Sequence, residues 1–321
     1  MSIEFYPFEL HTHSLHSDGS FTPEELARNA LEEGLAGFAL TDHNTFAGTP
    51  YARQAAEKLG LVFLPGIEWT TFYGHITVLG GDFGVDWREV NPETVCTNAA
   101  NIKEKGGCAG IAHPFRIGYP ICTGGSDGWG IDNYKDFTHY EVWSYRDPSE
   151  EHTNRLAEER YRFLAANGNR LACVYGRDWH AKEDGLFAAT YLGIDGALIT
   201  ENALEAIRKG RSYVSTGVRL EANLTDDKGN RFFIGDQLPV GEYTLDTKLT
   251  APHGGFSNGN TFSIKTISLV GADGKAEKHE TVDGKFTCRL KLKRGFLQLT
   301  AEGDVNGNER KLLIATPFFI K

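Results

Sequence analysis

From residue 5 to about residue 215, short apolar runs alternate with stretches of helical period, and no other feature limits the fold of this chain as strongly. Such alternation is the mark of βα units, whose parallel strands are buried on both faces and read as nearly continuous apolar runs. The punctuation agrees. In "FTPEELARNALEEG", Thr22 is placed as N-cap, Pro23 stands in the first turn, Glu25 completes a capping box and Gly34 is the stop. "LAGFALTDH" follows as a strand, "TPYARQAAEKLG" as a helix, "LVFLPGIE" as a strand and "NPETVCTNAANIKEKGG" as a helix leading to the strand "CAGIAH". "HYEVWS" and "RLACVYGRDWH" read as strands flanking the long helix "SEEHTNRLAEERYRFLAANG", and "ENALEAIRKG" precedes the strand "RSYVSTG". About seven such repeats favour a barrel over a small open sheet.

From Arg219 the texture changes to alternating apolar and polar residues broken by DKGN, GADGK and VDGK turns. The expectation is an α/β barrel over residues 1–218 and a small all-β, Ig-like sandwich over residues 219–321.

Composition enters as an exclusion. A net charge of -10 and a pI near 5.6 argue against a surface that coats nucleic acid, and no Lys/Arg cluster marks a membrane patch. No charged n-region precedes an apolar segment at the N-terminus, and no apolar run reaches the roughly 18 residues of a membrane span. A cytoplasmic protein acting on a small soluble substrate is expected. Five cysteines, Cys96, Cys108, Cys122, Cys173 and Cys288, show no paired spacing and read as thiols.

The functional signal lies in where acids and imidazoles fall. His11 and His13 end the first strand, with i and i+2 on one face. Asp42 and His43 end the second, Glu68 the third, His113 a later one, and Asp178 and His180 the last long one. In βα barrels the C-terminal strand ends share one rim, so these residues converge, and imidazole with carboxylate is a ligand set for Zn, Mn or Fe. His75, in "YGH", belongs with them as a ligand, a general acid or a donor to substrate. Asp42 is expected to orient a metal-bound imidazole. Glu141 either reaches into the barrel or sits in a buried ion pair. Arg116, three residues after His113, and Arg177, beside Asp178, are candidate anion binders. The segment at residues 123–134 lacks the lysine of a phosphate-binding loop and reads as a long active-site loop, with Trp129 and Tyr134 packed or stacking on substrate. His16, His139, His152, His253 and His279 have no partner motif and are read as surface residues.

In order and spacing, "HTH", "SDG", "TDHN", "GIE", "AHP" and "RDWH" resemble the motifs of the PHP superfamily, named for polymerase and histidinol phosphatase domains, over about residues 5–217. "EWTTFYGHITVLG" and "RKGRSYVSTG" before a β-domain are similar to its CehA/McbA-like branch of carboxyl ester and amide hydrolases. The resemblance implies a distorted (β/α)7 TIM-like barrel holding two or three divalent ions. It implies His11, His13, Glu68 and Asp178 around one metal, and Glu68 bridging to a second held by His113, with His75 the candidate for its further ligand. His43 and His180 with Asp18 would hold another, Asp18 standing where some phosphatase members have histidine. The activity implied is phosphoester hydrolysis of a small phosphorylated metabolite or nucleotide through a metal-bound hydroxide, with Asp178, His75 and Arg116 as its catalytic residues. The branch similarity keeps a metal-dependent carboxyl ester, carbamate or amide hydrolase as the alternative. A degenerate barrel that only binds is the third reading, and the intact ligand set argues against it.

Overall fold

A computed structural model describes residues 3–116, 129–131, 133–252 and 259–321. Its first part contains β1 (Ile3–Glu9), α1 (Pro23–Glu32), β2 (Gly37–Leu40), α2 (Thr49–Leu59), β3 (Val62–Thr71) and β4 (Gly74–Leu79). Then come α3 (Val95–Glu104), β5 (Cys108–Ile111), β6 (His139–Ser144), α4 (His152–Ala166), β7 (Ala172–Gly176), β8 (Ala189–Asp195), α5 (Thr200–Arg208) and β9 (Ser212–Ser215). The α1 start has both bonds of the capping box: Thr22 Oγ1 accepts from Glu25 N at 3.1 Å, and Glu25 Oε2 accepts from Thr22 N at 2.8 Å.

This is an α/β fold, but its sheet is mixed. β1, β2 and β3 are parallel neighbours, as are β5, β6 and β7. β4 lies antiparallel between β3 and β5, and β8 lies antiparallel between β1 and β9. The expected uniform βα series is corrected at these two strands. At the first, Thr71 Oγ1 accepts from Tyr73 N at 3.1 Å and donates to Gly74 O at 2.9 Å, closing a tight hairpin. Gly74 turns there with φ 144°, and a Cβ on it would lie 2.8 Å from Trp129 Nε1.

The sheet curls back so that β7 faces β8 and β9, and side-chain hydroxyls join them where no ladder does. Tyr175 N donates to Thr190 Oγ1 at 2.8 Å, and that hydroxyl donates back to Tyr175 O at 3.1 Å. Ser212 Oγ donates to Cys173 O, and Cys173 N donates to Thr316 Oγ1, both at 2.8 Å. These bonds satisfy buried backbone groups that a sheet edge would otherwise strand.

The remaining strands are β10 (Arg219–Asp226), β11 (Arg231–Phe232), β12 (Gln237–Leu238), β13 (Gly241–Thr250) and β14 (Phe262–Gly271). β15 (Ala276–Glu280), β16 (Lys285–Leu292), β17 (Gly295–Val305), β18 (Asn308–Ala315) and β19 (Phe318–Ile320) follow. β11, β10, β13 and β16 form a separate four-stranded sheet. The others extend the first sheet, because β9 pairs with β18 as well as with β8. Leu220, Leu224, Leu245 and Leu249 pack with Ile267, Leu269, Leu299 and Leu313 in one buried core.

Candidate metal centre

The histidine pair at the start of the chain is held by its own backbone. His13 N donates to Trp179 O at 2.9 Å and Trp179 N donates to His11 O at 3.1 Å, so the "HTH" and "RDWH" segments run side by side. Thr12 points the other way, donating Oγ1 to Ala39 O at 2.6 Å. The period of two thus sends His11 and His13 to one face and anchors the residue between them on the opposite side. His43 bridges to Glu68 in the same parallel sense. Asp178 has φ 56° and His113 φ 23°, left-handed values that non-glycine residues hold only where the surroundings fix them.

His11, His13, Glu68 and Asp178 converge, one ligand atom of each within 4.8 Å of the others. His13 Nε2 lies 2.9 Å from Asp178 Oδ1 and 3.4 Å from Glu68 Oε2, and His11 Nε2 lies 3.3 Å and 3.2 Å from the same two oxygens. All four atoms are buried and none has a hydrogen-bond partner. Buried polar atoms without partners are costly unless a cation gathers them, so this donor set fits a divalent metal. Burial pushes the Glu68 carboxyl up, but the His11 and His75 imidazoles outweigh it and hold Glu68 well below the carboxylate range. Asp178 is likewise raised by burial and lowered further by His11, His13 and Arg116, while burial pushes the His13 imidazole down toward its neutral, ligating form.

The other oxygen of Glu68 faces a second group. Glu68 Oε1 lies 2.8 Å from His75 Nδ1 and 3.0 Å from His113 Nε2. His43 Nδ1 lies 2.9 Å from Glu68 Oε2. On the outer side, Asp18 Oδ1 is 3.1 Å from His180 Nε2, 3.5 Å from His43 Nε2 and 3.9 Å from His13 Nδ1. Eight of the nine expected ligands therefore fall in three adjoining groups that share Glu68, His13 and His43, and the ninth, His113, meets them through Glu68 Oε1.

The imidazole is oriented by a different carboxylate from the one expected. Asp42 accepts from Ser14 N at 2.6 Å and from the Ser14 and Ser17 hydroxyls at 2.8 Å each, pinning the turn that carries Asp18. Buried Glu141 takes the orienting role: Oε1 accepts from His11 Nδ1 at 2.7 Å and Oε2 from His113 N at 2.6 Å. Gly176 makes room for it, since a Cβ there would lie 2.2 Å from Glu141 Oε1.

Arg116 donates to Asp178 Oδ2 and stacks over the Tyr145 ring, 3.6 Å from its centroid. Arg177 is corrected as an anion binder: it is buried, bonded through Nη1 to both oxygens of Glu33, and stacked between Trp179 and Phe187. His139 is corrected as a surface residue. It is buried between Thr77 and Thr138 hydroxyls at 2.9 Å each, and burial lowers its imidazole to about 4. Trp129 and Tyr134 are buried in the core, so neither offers a ring to substrate. His253, Cys122 and the loop positions 123–128 and 132 lie outside the described residues. Cys96, Cys108, Cys173 and Cys288 are free thiols, and burial pushes Cys108 up to about 12.

Two polar residues at the centre escaped the sequence reading. Glu9 is buried and accepts from His11 N and Arg177 N at 3.1 Å each; burial raises its carboxyl to about 8. Its signal was available, because Glu9, His11 and His13 follow the same period of two. Thr70 Oγ1 meets His43 Nδ1 at 2.5 Å, and nothing in its sequence context marks it.

A model of the PHP domain matches residues 9–167, and the chain belongs to the PHP family. Asp178 and His180 lie beyond the matched segment. The chain is 40% identical over 68 residues to a 5'-3' exoribonuclease of Salmonella typhimurium, a match covering 21% of this chain and 23% of that one. It is 40% identical over 78 residues to a 3',5'-nucleoside bisphosphate phosphatase of Chromobacterium violaceum, covering 24% and 27%. The matches thus span about a quarter of each relative. A crystal structure from Bacteroides vulgatus, of a two-domain protein containing a predicted PHP-like metal-dependent phosphoesterase, shares the fold over 98% of this chain and 96% of that one. The TM-score is 0.54 and the identity 16%. Among the described residues no helix is long and apolar enough to cross a membrane.

Proposed function

We propose that the protein is a metal-dependent phosphoesterase acting on a small phosphorylated metabolite or nucleotide. The observation that carries this reading is the bridging geometry of Glu68, whose two oxygens face two different sets of imidazoles. Divalent Zn, Mn or Fe ions held there would supply an activated water near neutral pH and would neutralise charge on the phosphoryl oxygens. His11, His13, Glu68 and Asp178 are the proposed ligands of one ion, Glu68, His75 and His113 those of a second. Asp18, His43 and His180 are the proposed ligands of a third. The 2.8 Å approach of His75 to Glu68 favours a ligand role over a general acid. Glu141 fixes the His11 tautomer by accepting a hydrogen bond from Nδ1–H, which leaves the Nε2 lone pair as the ligating one. Arg116 reaches the same centre and is the proposed clamp on the substrate anion. For the fold, we read the curled mixed sheet as a distorted (β/α)7 barrel and the C-terminal strands as an Ig-like sandwich beginning near residue 219.

Turnover of p-nitrophenyl phosphate against p-nitrophenyl acetate, with Zn or Mn added, tests the reading. Metal-dependent release from the phosphate is expected, and release from the acetate alone would favour a carboxyl ester hydrolase. Because a matching relative is named an exoribonuclease, a 5'-phosphorylated oligoribonucleotide belongs beside these substrates. Its preferential cleavage would overturn the small-substrate assignment.

A further inference from the structure

Tyr145 follows the last residue of β6 and has φ 65°, a left-handed backbone that a bulky side chain adopts only under constraint. The constraint is a hydrogen bond of 2.8 Å from the hydroxyl of buried Tyr175 to the Tyr145 carbonyl. Two residues on, Asp147 is also left-handed, with φ 44°, and its N–H donates to Leu186 O at 2.7 Å. The short segment is fastened at both ends, which sets the direction of the ring between them.

That ring lies against one guanidinium. The Arg116 carbon stands 3.6 Å from the Tyr145 ring centroid, while Arg116 Nη1 donates to Asp178 Oδ2. The Asp178 oxygen engaged is the one opposite to Oδ1, which faces His11 and His13. Stacking uses the face of a guanidinium and leaves its in-plane N–H groups free to donate, so one ring can fix a plane whose edge serves two acceptors. Asp178 is the first of them.

We propose that Tyr145 is a positioning residue: its ring is the platform that holds Arg116 in the plane joining Asp178 to an anionic oxygen of the substrate. This rests on the phosphoesterase reading. It assigns the strained backbone at the end of β6 to substrate binding, beyond packing alone.

The test compares Tyr145→Phe, Tyr145→Leu and Tyr145→Gly as metal-loaded full-length proteins. Glycine accepts φ 65° without strain, so Tyr145→Gly removes the ring without adding a backbone penalty. Melting temperature and metal content report folding and an intact centre, and calorimetric binding of inorganic phosphate reports the clamp without turnover. Phenylalanine should match the wild type within about twofold in KM for p-nitrophenyl phosphate and in Kd for phosphate. Leucine and glycine should raise both by about tenfold, with kcat within about threefold and metal content unchanged. In an Arg116→Ala background, Tyr145→Leu should add less than about twofold, because the ring then has nothing to hold. Wild-type phosphate affinity in both the leucine and glycine variants, or an undiminished loss in the Arg116→Ala background, would overturn the assignment. A metal-loaded wild type that neither hydrolyses the ester nor binds phosphate would instead overturn the phosphoesterase reading, and this inference with it.

Discussion

Glu141→Gln tests the centre through a residue that is not itself a ligand. The carboxylate accepts twice, from His11 Nδ1 at 2.7 Å and from His113 N at 2.6 Å, and it is buried. An amide has one accepting oxygen. Its NH₂ must face either the His113 amide, donor against donor, or His11 Nδ1, which would push the imidazole proton to Nε2 and block the atom that faces Glu68 and Asp178. Losing one buried charge-assisted bond costs about 1.5 to 3 kcal/mol. Expressed in metal affinity, that is roughly 10- to 100-fold, the range found when partners of metal-bound histidines are replaced. Competition with a chelator of known affinity measures it, with a thermal melt of the metal-free protein to separate folding from binding. Wild-type metal affinity in a folded Glu141→Gln protein would refute the reasoning.

Glu68→Gln should lose metal and activity together, because an amide cannot bridge two cations; full metal content with a near-normal rate would reject the bridge. His139 gives a stability profile. Burial lowers its imidazole from 6.5 to about 4 in the folded chain, so the unfolded chain binds the extra proton between those values. Its contribution is therefore complete above about pH 6.5 and is lost as pH falls toward 4, by roughly 3 kcal/mol on the scale of 1.36 kcal/mol per unit. Urea melts of wild type and His139→Gln across that range should show the variant's steepness reduced. Gly176→Ala should lower metal affinity and melting temperature together, since the added methyl meets Glu141 at 2.2 Å; an unperturbed variant would show that Glu141 has room to shift.

The helices and most strands were legible because their signals are local. The capping box at Thr22 and Glu25 and the glycine after α1 need no tertiary information. The nine candidate ligands could be named from the sequence because strand-end placement and motif order carry across the chain, and the fold brings these residues together. β8 was not read, and it pairs antiparallel with β1 in a register running from Ile3↔Asp195 to Phe8↔Thr190, which depends on a partner far along the chain rather than on local pattern. The orienting part expected of Asp42 falls to Glu141 for a related reason. Adjacency to His43 suggested Asp42, whereas the pairing of Glu141 with His11 joins β6 to the segment after β1 across 130 residues of sequence, with Gly176 leaving the space. His139 was read as exposed because no motif surrounds it. Its burial comes from Gly110, where a Cβ would lie 2.2 Å from the ring.

The most direct test of the central claim is a crystal structure of the metal-loaded protein with ions located by anomalous scattering. The account predicts one peak among His11, His13, Glu68 and Asp178 and a second between Glu68, His75 and His113, with Glu68 contributing one oxygen to each. A single ion bound by Asp18, His43 and His180 alone, with Glu68 uncoordinated, would contradict it.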